Sequence, residues 1–133
     1  MASEPRWLTC DEVVGINARE VAETGEPFLV LDRGKLEGAL NRPVALRFYE
    51  GEEDVWALAV SLLMAVAQAH AFAQGNKRTA FVAAILFLRL NGYDLRVPDQ
   101  VSVADLIIDV INGAAPQSAI VEGFAESVVP REG

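Results

Sequence analysis

The chain is poor in cysteine, in basic residues and in histidine, and each shortage excludes something. Its one cysteine, Cys10, rules out an intramolecular disulfide and fits a chain made for a reducing cytosol. Cys10 itself reads as a small residue inside a helix. With 11 Lys and Arg against 19 Asp and Glu, the formal net charge is -8. Such a chain gains nothing from counterion release on DNA or RNA, so no nucleic-acid partner is expected. The start, Met1-Ala2-Ser3-Glu4-Pro5-Arg6, contains no apolar core, so no signal peptide is read and a cytoplasmic protein is expected. Internal repeats, low-complexity tracts and linkers are also missing. With a length of 133 residues, this points to one domain over 1–133, its core running from about residue 8 to about residue 129.

Charge is absent over one long stretch. From Val55 to Asn76 there is no Asp, Glu, Lys or Arg, which resembles a membrane span. A span is rejected, because Gln68, His70 and Gln74 interrupt the stretch, Gly75-Asn76 ends it, and Glu50, Glu52, Glu53 and Asp54 precede it in place of a basic flank. A helix apolar all round is what the centre of an all-helical domain requires.

What is present is mostly helical pattern, and hydrophobic residues make up 52% of the chain, enough for a core. Thr9-Cys10-Asp11-Glu12 has the form of a capping box. It opens a helix to about Glu23 with Val13, Ile16, Ala18 and Val21 roughly on one side. Phe28-Leu29-Val30-Leu31 reads as an extended flap or edge strand. Asp32 caps a short helix carrying Leu36 and Leu40, closed by Asn41-Arg42-Pro43, and Pro43 to Gly51 is loop. Helices follow over about Glu53–Ala69 and Asn76–Leu90, the second stopped by Asn91-Gly92. Tyr93–Val97 is extended and Pro98 begins a turn. A helix from Ser102 or Val103 to about Ile111 and a last one over Pro116–Val129 complete the chain, with Pro130 to Gly133 as a fraying tail. The expected fold class is all-α, a helical bundle with a central helical hairpin and a short flap, and at most one short β element near the site.

The only histidine, His70, stands between the two central helices, followed by Gly75-Asn76-Lys77-Arg78. The first N–H groups of a helix lack intrahelical partners and its start is electropositive. Gly75 lets an anion approach the backbone closely. Lys77 and Arg78 are unfavourable for the helix start by roughly 0.3–1 kcal/mol each, a broken local rule of the sort found at functional sites. A bound phosphate repairs it. Imidazole titrates near neutrality, so His70 is a candidate base for an attacking hydroxyl. Phe72 is the buried anchor of the turn, and Asn76 either caps the second helix or donates to a phosphate oxygen. Taken singly, these features are also ordinary: a histidine at a helix end is usually a polar cap, Gly-Asn is common turn chemistry, and Lys-Arg is usually solvated surface.

The segment His70-Ala71-Phe72-Ala73-Gln74-Gly75-Asn76-Lys77-Arg78 resembles the Fic motif, His-Pro-Phe-x-Asp/Glu-Gly-Asn-Gly/Lys-Arg. With Lys77 it is most similar to the Doc (death-on-curing) branch, the toxins of toxin–antitoxin modules. Flanking blocks Leu31–Pro43, Thr79-Ala80-Phe81 and Phe87–Tyr93 resemble the family in the same order. The resemblance implies a Fic/Doc-like fold in which His70, Lys77 and Arg78 are catalytic and Gln74, Gly75, Asn76, Lys77 and Arg78 hold ATP phosphates. It implies transfer of the γ-phosphate of ATP to a hydroxyl of a translation factor, a threonine of elongation factor Tu, which arrests translation. It also implies ATP as co-substrate, Mg²⁺, and an antitoxin whose disordered segment folds on the toxin. Three departures stand out. Ala71 replaces the usual proline. Phe81 stands where AMP-transferring members often have a second arginine, which favours phosphate transfer over the alternative, AMP transfer. Gln74 replaces the metal-binding acid, so Mg²⁺ at this position would meet only an amide oxygen, and a non-catalytic binding module is the other alternative.

Overall fold

Six helices pass through the chain in a computed structural model that describes residues 4–97 and 99–132. Helix α1, Cys10–Thr24, starts at the expected capping box. Glu12 N–H donates to Thr9 Oγ1 at 3.1 Å and Thr9 N–H donates to the Glu12 carboxylate at 2.9 Å. It ends at Gly25, whose φ of 71° is left-handed, the conformation that makes glycine the usual helix stop. Its buried side is Val13, Ile16, Asn17 and Val21; Ala18 is only half-buried.

Helix α2, Arg33–Tyr49, is capped by Asp32, which accepts from Lys35 N–H at 3.0 Å. It corrects the expectation of a short helix closed at Pro43 followed by loop, because it continues through Pro43 to Tyr49. A helix-interior proline costs about 3 kcal/mol. Here Pro43 is buried on the same face as Leu36 and Ala39, and Leu46 beyond it packs on the core. Burial of that continued face offsets a local penalty that sequence alone weighs too heavily.

Helix α3, Val55–Ala69, is capped by Asp54 through Trp56 N–H at 3.1 Å and is buried nearly all round, from Trp56 to Ala67. Helix α4, Asn76–Leu90, returns beside it, burying Ala80, Ala83, Ala84, Phe87 and Leu88. This is the expected central hairpin. α1 and α2 pack on it from the amino-terminal side of the chain, and Trp7 stacks on Phe87 with ring centroids 5.7 Å apart.

The carboxy-terminal third differs from expectation. Helix α5, Gln100–Ile111, begins earlier than Ser102 because Asp99 caps it, accepting from Val101 N–H at 2.9 Å. Helix α6 is confined to Ser118–Phe124, followed by a 3-10 turn over Ala125–Ser127. The last helix does not reach Val129. Val128–Pro130 instead forms strand β2, antiparallel to strand β1, Tyr93–Leu95, with Leu95 opposite Val128 and Tyr93 opposite Pro130. The β-branched pair Val128-Val129 suits a strand, and its partner lies far off in sequence. Nor does the tail begin free at Pro130, since Arg131 N–H donates to the Gly92 carbonyl at 2.8 Å. The expected turn at Pro98 and the end of the tail at Gly133 lie outside the described residues. Among the described residues no helix is long and apolar enough to cross a membrane.

Candidate active site

Helix α3 ends at Ala69, and His70 takes the left-handed conformation, φ 51° and ψ 41°. Among the described residues it is the one non-glycine residue with positive φ. A side chain held there costs of order 1–3 kcal/mol, and such strain collects at functional sites. His70 is exposed in this turn.

The chain then drops into the core. Ala71 and Phe72 are buried, so Phe72 is the anchor the sequence indicated. The flap crosses this stretch: Leu31 N–H donates to the Ala71 carbonyl at 2.7 Å and Ala73 N–H to the Leu29 carbonyl at 3.0 Å, around a bridge between Val30 and Phe72. The flap side chains Phe28, Leu29 and Leu31 face solvent.

Asn76 does not cap α4, and one of its two amide protons is engaged within the turn. Phe72 N–H donates to its Oδ1 at 3.1 Å and its Nδ2 donates back to the Phe72 carbonyl at 2.8 Å. It closes the turn on itself, satisfying backbone groups that would otherwise be orphaned beside the core. The cap position belongs to Gly75, with φ 74° and no side-chain cap. The leading N–H groups of α4 therefore remain available to an anion. A Cβ at Gly75 would sit 3.2 Å from Val21 Cγ1 and 3.3 Å from Asn17 Nδ2, too tight for any other residue without displacement.

Asn17 was not singled out from sequence, yet it is fully buried and holds the turn from behind. Its Nδ2 donates to the Gln74 carbonyl at 2.8 Å and to Thr79 Oγ1 at 3.0 Å, while its Oδ1 has no partner among the described residues. A polar residue on the apolar side of α1, between Ile16 and Val21, was the available signal.

Arg78 is not idle either. Its guanidinium pairs with the Glu26 carboxylate and donates to Thr24 Oγ1 at 3.2 Å. The Thr24 hydroxyl and then the Arg78 guanidinium hold the Glu26 carboxyl below the ordinary glutamate range. Lys77 is exposed and has no ion pair among the described residues. His70, Gln74, Gly75, Asn76, Lys77 and Arg78 line one open cavity of about 430 Å³, and Glu26 lines it with them. The sequence-predicted residues thus converge, with Phe72 beneath them.

The same cavity tests the metal. Gln74 is exposed and offers an amide oxygen only. The one carboxylate there, Glu26, is committed to Arg78. Among the described residues no group of three or more His, Cys, Asp or Glu could hold an ion. Magnesium prefers one or two carboxylates beside phosphate oxygens, so the protein side does not fit a resident Mg²⁺. For a polyphosphate the fit is good: backbone donors, Lys77 and Arg78 converge without an intervening acid other than Glu26.

The sequence is similar to known proteins. The profile described as the Fic/DOC family matches residues 7–88. The chain is 30% identical over 117 residues to the protein kinase Doc of Escherichia phage P1, covering 88% of this chain and 91% of that one. It is 34% identical over 111 residues to the toxin Doc of Mycolicibacterium smegmatis, covering 83% of this chain and 82% of that one.

Proposed function

The chain belongs to the Fic/DOC family, and from that premise we propose that it is a Doc-like toxin of a toxin–antitoxin module. It transfers the γ-phosphate of ATP to a hydroxyl of a translation factor, with a threonine of elongation factor Tu the first candidate, and arrests translation in the cytoplasm. An antitoxin with a disordered segment that folds on the toxin is its partner. The relatives named protein kinase and toxin support the class of function.

The observation that carries phosphate transfer is Lys77 on the open first turn of α4, in one cavity with His70. His70 accepts the proton of the substrate hydroxyl as its oxygen bonds to the γ-phosphorus. The bond from phosphorus to the bridging oxygen of ATP breaks, and ADP leaves with that electron pair. Lys77, Arg78 and the leading N–H groups of α4 stabilise the charge that spreads over the phosphoryl oxygens, which is most of what such a reaction asks of a protein. Any magnesium would have to arrive with the nucleotide, because the described residues here offer it an amide oxygen at Gln74 and no uncommitted carboxylate.

The deciding experiment incubates translation factors with this protein, MgATP labelled at either the α- or the γ-phosphate, and a His70→Ala control. γ-Label and a phosphate-sized mass increase on the target, absent in the control, support kinase chemistry. α-Label with an AMP-sized increase replaces it with adenylyl transfer. Gln74 favours a second possibility, a non-catalytic binding module. Growth arrest that survives His70→Ala would establish that one.

A further inference from the structure

A second hollow of about 390 Å³ opens on the other side of His70, between α2 and α3. Lys35, Gly38, Ala39 and Arg42 line it from α2, and their spacing puts them on one helical face. Ala69 adds another small side chain from α3, and His70 stands at the end. Small residues leave the floor empty: a Cβ built on Gly38 meets nothing within 4 Å. The cations stand at either end of that stripe. Neither Lys35 nor Arg42 has an ion-pair partner among the described residues. In a chain of net charge -8, a pair of uncompensated cations converging on one groove is a local reversal of sign. Of the residues lining this groove, only His70 also lines the phosphate cavity.

We propose that this groove seats a carboxylate side chain of the protein substrate, next to the hydroxyl that is modified, so that the enzyme selects acidic segments. This rests on the phosphotransfer function above. In phosphoryl transfer the attacking and leaving oxygens lie roughly in line. With the phosphoryl group on the start of α4 and His70 taking the hydroxyl proton, the nucleotide departs away from His70. The acceptor chain therefore runs out past His70, where the groove begins. The ATP phosphates already have Gly75 to Arg78. The anion a polypeptide carries in its own side chains is carboxylate, and both a guanidinium and an ammonium bind it.

The test uses two acetylated, amidated probe peptides, Glu-Glu-Thr-Glu-Glu and Gln-Gln-Thr-Gln-Gln, titrated into isotope-labelled protein. The single histidine gives one set of ring signals by NMR, and the Gly38 amide reports the groove. The acidic peptide is expected to move the His70 and Gly38 signals, and the amide peptide is not. In Lys35→Gln/Arg42→Gln its affinity falls roughly fivefold to tenfold, the loss of two exposed ion pairs. MgATP shifts at Gly75 and Lys77 stay as in the parent. Gly38→Leu, which fills the hollow at an ordinary helical position, abolishes the peptide shifts.

The groove assignment falls if both peptides or neither bind, or if the acidic peptide moves only the Gly75–Arg78 signals. It also falls if MgATP itself moves Gly38 and loses affinity in the double variant, since the nucleotide is then the occupant. Transfer of label from γ-labelled ATP is scored separately. A peptide seated in the groove while no label reaches the translation factors keeps the groove and removes the phosphotransfer function. Transfer that continues undiminished in the double variant does the reverse.

Discussion

Asn17 of α1 donates its side-chain amide to the carbonyl of Gln74, 2.8 Å away. Through that bond, and a second to Thr79 at 3.0 Å, a helix early in the chain sets the shape of the phosphate turn far along it. Gly75 follows Gln74 directly, and its left-handed backbone is what aims the α4 N–H groups outward. Asn17→Ala is expected to destabilise the fold by roughly 1–3 kcal/mol, because it strands a part-buried carbonyl and a buried hydroxyl. Urea unfolding measures this. In the fraction that stays folded, KM for ATP rises, since the donors of the turn are no longer held in register.

Glu26 competes with a phosphate for Arg78. Glu26→Gln keeps the shape of the side chain and removes the charge, so KM for ATP should fall by up to about fivefold, the span of an exposed ion pair. Steady-state kinetics at low salt checks it. Unchanged or raised KM would mean that the Arg78 guanidinium does not turn to the nucleotide.

The same carboxylate sets an acid limit. The Thr24 hydroxyl and Arg78 lower its pKa, and the Thr9 backbone N–H, with Arg6, lowers that of Glu12. A depressed carboxyl contributes stability above its unfolded pKa and loses it as pH falls through the folded value. Stability should therefore decline on the acid side of the ordinary glutamate range. Urea midpoints followed from neutral to acid pH should show a smaller decline in Glu26→Gln than in the parent.

His70 carries backbone strain as well as chemistry. His70→Ala should lower kcat by about 10²–10⁴-fold, the usual contribution of a general base. His70→Gly should be as inactive yet more stable than the parent by about 1 kcal/mol, because glycine adopts the left-handed region freely. Paired unfolding curves of the two variants separate these effects, and a Gly variant no more stable than the Ala variant would show that the turn holds no strain.

Gln74 is exposed at the edge of the cavity and supplies no charge. Gln74→Asp should reduce the Mg²⁺ concentration needed for half-maximal transfer, since a carboxylate is the ligand magnesium prefers. A magnesium titration of the two proteins at fixed ATP reads the shift, and coincident curves would show that the metal does not approach this position.

Local chemistry was written plainly in the chain. Thr9-Cys10-Asp11-Glu12 made its capping box and Asn76–Leu90 ran over its expected span, because each depends on neighbours a few residues away; the flap lay where Phe28–Leu31 placed it, although its partners, Ala71 to Ala73, are distant in sequence. The convergence of His70 with Gly75, Lys77 and Arg78 was also legible, since one short loop carries them all. The family resemblance rests on that same loop.

Other features needed the folded molecule. α2 continues through Pro43 because burial against α3 outweighs a missing N–H. Val128–Pro130 is a strand because Tyr93–Leu95 lies beside it. Glu26 occupies Arg78, and Asn17 supports Gln74. Sequence by itself determined the starts of α1, α2 and α4, the turn and the residues that carry charge, because propensity, capping and spacing act within a few residues. Tertiary structure alone decided which of those groups are engaged and which remain open to a ligand. A hydrogen bond or ion pair between distant segments forms only once packing has brought them to within about 3 Å.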